Sequence, residues 1–495
     1  MAEAKPNSPS SDYEAMVPYW SMVETILDGA DAMRAAGVKY LPKFANETDE
    51  DYEHRRKNAK FTNIYGDIIE NLAARPFGQE VGLVEDGVSE RLRALAEDID
   101  GQGNHLHVFA SKTFFAGINA GIDWILVDFT KNVPSNATQA QERELGARPY
   151  WVSIPSTRLI AIYSAMIGGK EEFVHARIME PQKERDGYGE KTLNRVRELN
   201  RELVMDDAGN IISAAPATYQ VFEERKGNDG KSEWVSIEGP LPISIGVIPL
   251  VPFLTGRRKG SSWQIKAPMK DAAFLQIEHY QQESGLKYAR DMTAFPMLAG
   301  NGVAPAIGDD GKPVMIPIGP KTVLYAPPNG EGNHGEWDFI EPDATSLKFL
   351  AEEIKETARE LRELGRQPLT AQSGNLTVVT TAFAAQKGNT AIQAWALNLK
   401  DALERAFVLT AMWLKDDSQP QVSIDTDFDL GLGDDDGFGH VMALRNRGDL
   451  SQATTWAEAK RRNILSPEFE ADEEIERLDE ELPGEPEEQD LINAV

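Results

Sequence analysis

The chain has 495 residues, enough for several domains, and sets 51 basic against 80 acidic side chains for a formal charge of −29. Such a balance excludes a protein that wraps its whole surface around nucleic acid. It has no cysteine, which excludes disulfide frameworks, cysteine zinc sites and thiol catalysis and fits maturation in a reducing compartment.

Taken in chain order, the start MAEAKPNSPSSDYE lacks the apolar core of a signal peptide. The first 75 residues read as helical: MVPYWSMVETILDGADAMRAAG is amphipathic, and DYEHRRKNAKFTNIYGDIIENLAAR forms a second helix stopped by Pro76. A further helix is expected through SERLRALAEDI. Between about 120 and 255 the segments WILVDF, YWVSIP, RLIAIY, FVHARIM, TYQVFEER and EWVSIEG, rich in branched and aromatic residues and punctuated by turn formers, predict an antiparallel sheet region. The longest apolar stretch, from Leu241, is broken by prolines and too short to span a bilayer, so a soluble protein without membrane contact is expected.

Helical periodicity returns after Pro268, with Ala273, Ile277, Tyr280, Ser284 and Tyr288 on one stripe. A Gly- and Pro-rich run up to Pro342 reads as small β-hairpins. DATSLKFLAEEIKETARELRELG follows, with Leu347, Leu350, Ile354, Leu361 and Leu364 on one face, and Gly365 with Pro368 ends it. LTAQSGNLTVVTTAFAAQ, from Leu369, then has eighteen residues without a charge. Beyond it Ile392, Ala396, Leu399, Leu403, Ala406, Leu409 and Trp413 predict a long helix, with a break or kink at Gly388 and Asn389. From Asp416 to the end, 23 acidic and 6 basic residues hold more than half of the excess negative charge. The last part reads as a short helix passing into a disordered acidic tail. The overall expectation is an α+β chain.

No constellation points to catalysis. TGRRKGSSW, from Thr255, lacks the spacing of a phosphate loop and reads as a basic surface turn. His105 and His107 lie two apart, suit a metal only on a strand, lack a third ligand nearby and read as surface histidines. DTDFDLGLGDDD departs from a calcium loop at Leu430, where glycine is required, and its alternation reads as a half-buried strand. Glu360 and Glu363, interleaved with Lys355, Arg359 and Arg362, read as a salt-bridged helix face. The basic clusters His54–Arg55–Arg56–Lys57–Lys60, Arg257–Arg258–Lys259 and Lys460–Arg461–Arg462 read as solvated faces or intersubunit salt bridges. No catalytic residue, metal or cofactor is expected.

Three stretches carry a resemblance: YLPKFANETDEDYEHRRKNAKFTN, PMKDAAFLQIEHYQQESGLKYARDMTAFPMLAGNG, and TAQSGNLTVVTTAFAAQKGNTAIQAWALNLKDALERAFVLTAMWL. They resemble tailed-bacteriophage proteins catalogued under a domain of unknown function and read as portal proteins. The C-terminal ALRNRGDLSQATTWAEAKRRNILSPEFEADEEIERL is similar to the ending of many portals. The resemblance implies a portal fold: N-terminal helices and an α/β wing over 1–265, stem helices at 266–292 and 343–368, and a small β clip at 293–342. It further implies a tunnel loop at 369–381, a long kinked wing helix at 382–415, and a mostly helical crown and acidic tail over 416–495. It also implies a ring, usually of twelve subunits, at one capsid vertex of the virion, assembled in the host cytoplasm. Implied partners are double-stranded DNA in the channel, the terminase large subunit, the major capsid protein and scaffold, and a head-to-tail adaptor. Gln372, Ser373, Gly374, Asn375 and Thr377 are the candidate channel-lining residues. Another non-enzymatic phage head or connector protein is the alternative, ahead of a soluble enzyme acting on a small ligand.

Overall fold

The computed structural model describes residues 5–84, 86–130, 141, 144–227, 231–293, 297–303, 307, 311, 335–340, 345–365, 378–426, 435–461, 464–466 and 469–481. It is an α+β protein in two compact units, Met1–Thr426 and Asp427–Val495.

The first unit opens with α1 (Ser11–Leu27), α2 (Ala30–Ala36), α3 (Asp49–Lys57) and α4 (Ile64–Ala74). Two predicted helices are each divided. Gly29, at φ +87°, separates α1 from α2. The run predicted as one helix from Asp51 to Arg75 breaks at 58–63, where Asn63 turns its side chain onto the Gly66 N–H (2.8 Å) and caps α4. β1 (Gly82–Leu83), α5 (Glu90–Ala96) and α6 (Leu106–Ala120) follow. Tyr19 Oη and Trp20 Nε1 donate to the carbonyls of Asn119 and Ala120, at 2.8 and 2.9 Å, so α1 satisfies the last turn of α6.

The predicted sheet region is present and antiparallel. Its strands are β2 (Ile122–Phe129), β3 (Pro149–Ile154), β4 (Leu159–Ile167), β5 (Lys170–Met179), β6 (Gln182–Asp186), β7 (Gly189–Leu193), β8 (Arg195–Asn200), β9 (Leu203–Met205), β10 (Ile211–Ala214), β11 (Thr218–Lys226), β12 (Ser232–Pro242) and β13 (Leu250–Leu254). They form a three-stranded sheet, β13-β2-β3, a five-stranded sheet, β12-β11-β8-β5-β4, and the hairpins β6–β7 and β9–β10. β2 is buried from Ile122 to Val127 on both faces, which explains why WILVDF shows no alternation. Trp124 meets Phe173 and Trp263, joining the two sheets (ring centroids 5.8 and 5.3 Å). Arg197 of β8 is salt-bridged to Asp128 of β2 (2.6 Å) and to Glu180 (3.0 Å). Burial opposes its charge, but the two carboxylates outweigh it and raise its pKa.

A small pair, β14 (Arg257–Arg258) and β15 (Ile265–Lys266), leads into α7 (Lys270–Thr293). β16 (Met297–Asn301) pairs antiparallel with β17 (Glu336–Ile340), closing the insert between α7 and α8 (Thr345–Leu364). α9 (Val378–Leu414) has 37 residues, which makes it about 55 Å long. It begins four residues before the expected Ala382 and continues through Gly388 and Asn389, so of the expected break or kink the helix shows no break. One glycine costs a helix about 1 kcal/mol, and the surrounding Ala and Gln offset that. α6 and α9 pack on the three-stranded sheet. There Trp151 is sandwiched between Phe109 and Phe407, and its Nε1 donates to Thr410 Oγ1 (2.8 Å). β18 (Val422–Ser423) pairs with β1. Of the strand predicted from Gln421 only these two residues form, and 427–430 lie outside the described residues.

The second unit contains α10 (Asp435–Asn446), α11 (Gln452–Arg461) and α12 (Ala471–Glu481). Ser451 caps α11, and Lys460 donates to the Phe469 carbonyl (3.0 Å). The tail predicted to be disordered lies almost wholly outside the described residues.

Candidate functional site

The predicted channel residues Gln372, Ser373, Gly374, Asn375 and Thr377 lie outside the described residues. Both ends of their segment are described, and each is anchored differently. α8 closes on Gly365, whose amide donates to the Leu361 carbonyl (2.8 Å). Gly365 rests directly on Ile68 of α4: a Cβ there would lie 2.6 Å from Ile68 Cδ1. At the far end α9 is fixed to the sheet. Asn398 donates to the Leu254 carbonyl (2.9 Å), Trp413 Nε1 to the Val127 carbonyl (3.1 Å), and Ile392, Ala396, Leu399 and Leu403 are buried. In sequence, then, residues 366–377 are preceded by a helix seated on α4 and followed by a helix seated on a sheet.

α7 is held by a buried polar seam. Gln276, His279, Glu283 and Ser284 point into the protein at helical spacing and are at most 7% exposed. Their partners lie on the connection between α3 and α4 and in the first turn of α4, whose peptide groups lack a partner within the helix. Gln276 accepts from the Tyr65 amide (2.9 Å) and donates to the Thr62 carbonyl (3.0 Å). Glu283 accepts from the Thr62 amide (2.9 Å), Thr62 Oγ1 (2.9 Å) and Lys60 Nζ (2.7 Å). Ser284 donates to the Lys60 carbonyl (3.3 Å), and Lys287 to the Asn58 carbonyl (2.6 Å). His279 Nδ1 is buried 3.8 Å from Glu283 Oε2 with no hydrogen-bond partner among the described residues. Burial pushes its pKa below the ordinary histidine value, against the pull of Glu283. The seam fixes α7 against the α3–α4 connection.

Within the first basic cluster His54, Lys57 and Lys60 are exposed, as the solvated-face reading expects, whereas Arg55 and Arg56 are engaged inside the protein. Arg55 is buried, forms two bonds of 2.7 Å to Glu47, and lies over the Phe44 ring at 4.0 Å. Hydrogen bonding to Arg55 holds the Glu47 carboxyl below the ordinary range. Arg56 is bound by Glu53 (2.7 Å) and Lys60 by Glu283. TGRRKGSSW is the basic turn expected: Arg258 pairs with Glu171 (2.7 Å) and covers Trp263 at 3.8 Å.

His105 and His107 lie at the start of α6 and are half-buried, which corrects their reading as surface residues. His107 Nδ1 accepts from the Val81 amide (3.1 Å), and its ring meets Phe77 edge-on (5.4 Å). Among the described residues no group of three or more His, Asp or Glu could hold a metal ion, and no helix is long and apolar enough to cross a membrane. Glu363 pairs with Arg359 (2.9 Å), as the helix-face reading expects.

The seam of Gln276, His279 and Glu283 and the fully buried Asp123 escaped the sequence reading. For the seam the signal was present, since these polar residues fall on the same helical stripe as Ala273, Ile277 and Tyr280. Asp123 Oδ1 has no hydrogen-bond partner among the described residues, and burial raises its pKa well above the ordinary carboxylate value.

A family model described as a domain of unknown function (DUF4055) matches residues 268–414, the run from the start of α7 to the end of α9. No curated protein matches the chain. Among solved structures, a chain of the virion of a native gene transfer agent particle is 13% identical, with 88% of this chain and 95% of that one covered at a TM-score of 0.37. A chain from the neck of the native particle, computed with C12 symmetry, is 12% identical, with coverages of 88% and 96% and a TM-score of 0.39. TM-scores below 0.5 leave these as distant likenesses.

Proposed function

We propose that the chain is the portal subunit of a tailed phage, a ring at one capsid vertex through which double-stranded DNA enters the head and later leaves it. The observation that carries this reading is the order of elements from α7 to α9. A long helix, an insert closed by the β16–β17 pair, a second long helix, an uncharged stretch of sequence and a 37-residue helix follow one another in chain order. In this reading α7 and α8 are the stem, the insert between them is the clip that the terminase large subunit and then the adaptor grasp, and residues 369–377 line the channel. The two sheets and α9 form the wing facing the major capsid protein and scaffold, and the second unit is the crown.

The charge pattern supports the same reading. DNA must slide through the ring, and a lining dense in Lys and Arg would bind phosphates through counterion release and hold them. Gln372, Ser373, Asn375 and Thr377 can offer a phosphate only weak, neutral hydrogen bonds, with Gly374 giving the backbone room, while the acidic excess elsewhere repels the duplex. The chain acts here as a conduit and not as a catalyst. Light scattering on the purified full chain tests the first requirement: a closed assembly of many subunits supports the reading, and a monomer at every concentration and salt would sink it.

A further inference from the structure

The second unit has little core of its own. Among its described residues only Thr455 and Ala459 are buried, while Met442, Leu444 and Ile475 are exposed and Ile464 is 53% exposed. Three short helices that bury so little apolar area cannot offset the entropy of ordering them, so a further apolar cover is required. An unfilled groove of about 370 Å³ lies between α10, α11 and the turn after α11, lined by Phe438, Met442, Trp456, Ile464 and Leu465. Arg445 is the only charged side chain among its described lining residues, and its Nη1 donates to the Leu450 carbonyl (3.1 Å).

The chain beyond α12 has the composition to fill this groove. LPGEPEEQD, at 482–490, carries four carboxylates and two prolines, and the uncharged LINAV follows at 491–495, led by Leu491 and Ile492. All of these residues lie outside the described ones. An apolar pair preceded by carboxylates complements an apolar groove whose lining includes one arginine. The reach is also sufficient. Trp456, in the groove wall, meets Phe469 edge-on (5.5 Å), and Lys460 donates to the Phe469 carbonyl (3.0 Å), so α12, starting at Ala471, sets out from beside the groove. Its 11 residues carry the chain roughly 16 Å away. Residues 482–489, fully extended, span up to roughly 26 Å, enough to bring the chain back.

We propose that residues 490–495 fold back into the α10–α11 groove of their own chain, with Leu491 and Ile492 packed against Met442, Trp456 and Ile464 and the carboxylates of Glu487, Glu488 and Asp490 on the side of Arg445. The tether holds the segment at roughly millimolar local concentration, so a modest apolar contact is enough to keep it seated. The docking is independent of whether the chain forms a ring. It gives the second unit the apolar cover that its three helices do not supply.

Because the chain has no cysteine, a pair of introduced thiols reports the docking without background. Met442→Cys with Ile492→Cys in the full chain should close an intramolecular disulfide under mild oxidant. Its rate should exceed by about tenfold or more that of Ala457→Cys with Ile492→Cys, because proximity in the docked state favours only the first pair. Ala457 is exposed on the face of α11 turned away from Thr455, Trp456 and Ala459. Peptide mapping separates bonds within a chain from bonds between chains. Equal rates for the two pairs would overturn the docking, and a fast bond formed chiefly between chains would overturn it in favour of a neighbouring copy's segment. Leu491→Asp with Ile492→Asp gives a second readout: amide exchange over 438–465 should speed up by about tenfold while the first unit exchanges as in wild type. Unchanged exchange over 438–465 would equally overturn the docking.

Discussion

Gly365 and Ile68 touch so closely that no side chain fits between them: a Cβ on Gly365 would stand 2.6 Å from Ile68 Cδ1 and 2.7 Å from its Cγ2. This contact seats the C-terminal end of α8 on α4. Gly365→Ala should destabilise the first unit by about 1–3 kcal/mol, the range for overpacking a filled core. Ile68→Ala alone should cost about 2–5 kcal/mol. The double variant should be more stable than the sum of the two losses, since the smaller residue at 68 receives the new methyl. Urea denaturation of the four chains reads this coupling, and strict additivity would contradict the contact.

His279 gives the first unit a pH-dependent stability. Burial depresses its folded-state pKa, while Glu283, Lys60 and Arg362 are the charges around it. The unfolded chain therefore binds the proton more tightly, and stability should fall as pH drops below about 6.5, by at most about 1.4 kcal/mol per pH unit, until the folded-state value is passed. His279→Gln removes the titrating group and should flatten that part of the profile, read as melting temperature between pH 7.5 and 5. An unchanged slope would contradict the assignment.

Asp123 acts in the opposite direction. Its folded-state pKa is raised by burial, so the folded chain holds a proton that the unfolded chain releases above about pH 4. Its stability contribution is present at low pH and is lost as pH rises toward the folded-state value, at up to about 1.4 kcal/mol per unit. Asp123→Asn, of similar shape, should gain stability over wild type as pH rises from 5 to 8. A constant difference over that range would show that Asp123 does not hold the proton.

Gln372→Lys, Ser373→Lys and Asn375→Lys together place three cations per subunit in the uncharged segment. Assembly should be unaffected, while DNA packaging in a reconstituted head and motor system should slow or stall. Because the drag is counterion-linked, raised salt should relieve it in part. Packaging at the wild-type rate would remove this segment from the channel lining.

Much of the fold was legible because burial imposes periodicity. The stripe from Ala273 to Tyr288 and the apolar face of DATSLKFLAEEIKETARELRELG marked α7 and α8, and the aromatic strands marked the sheet region. Breaks were harder to place. Asn58–Asn63 reads as helical by pattern, but the Thr62 amide and carbonyl are satisfied from Glu283 and Gln276, more than 200 positions away, and no local signal records that. The lock of Arg55 on Glu47, eight positions away, was hidden because composition makes Arg55 look solvated. Of the candidate site, sequence supplied the uncharged segment and its position between helices, and the described residues supply its anchors at Gly365 and along α9.

Electron microscopy of the purified full-length chain tests the central claim most directly. The account predicts end-on views of a closed ring of many subunits around an open centre wide enough for duplex DNA, roughly 20 Å or more. Particles that remain monomers, or assemblies without an axial opening, would contradict it.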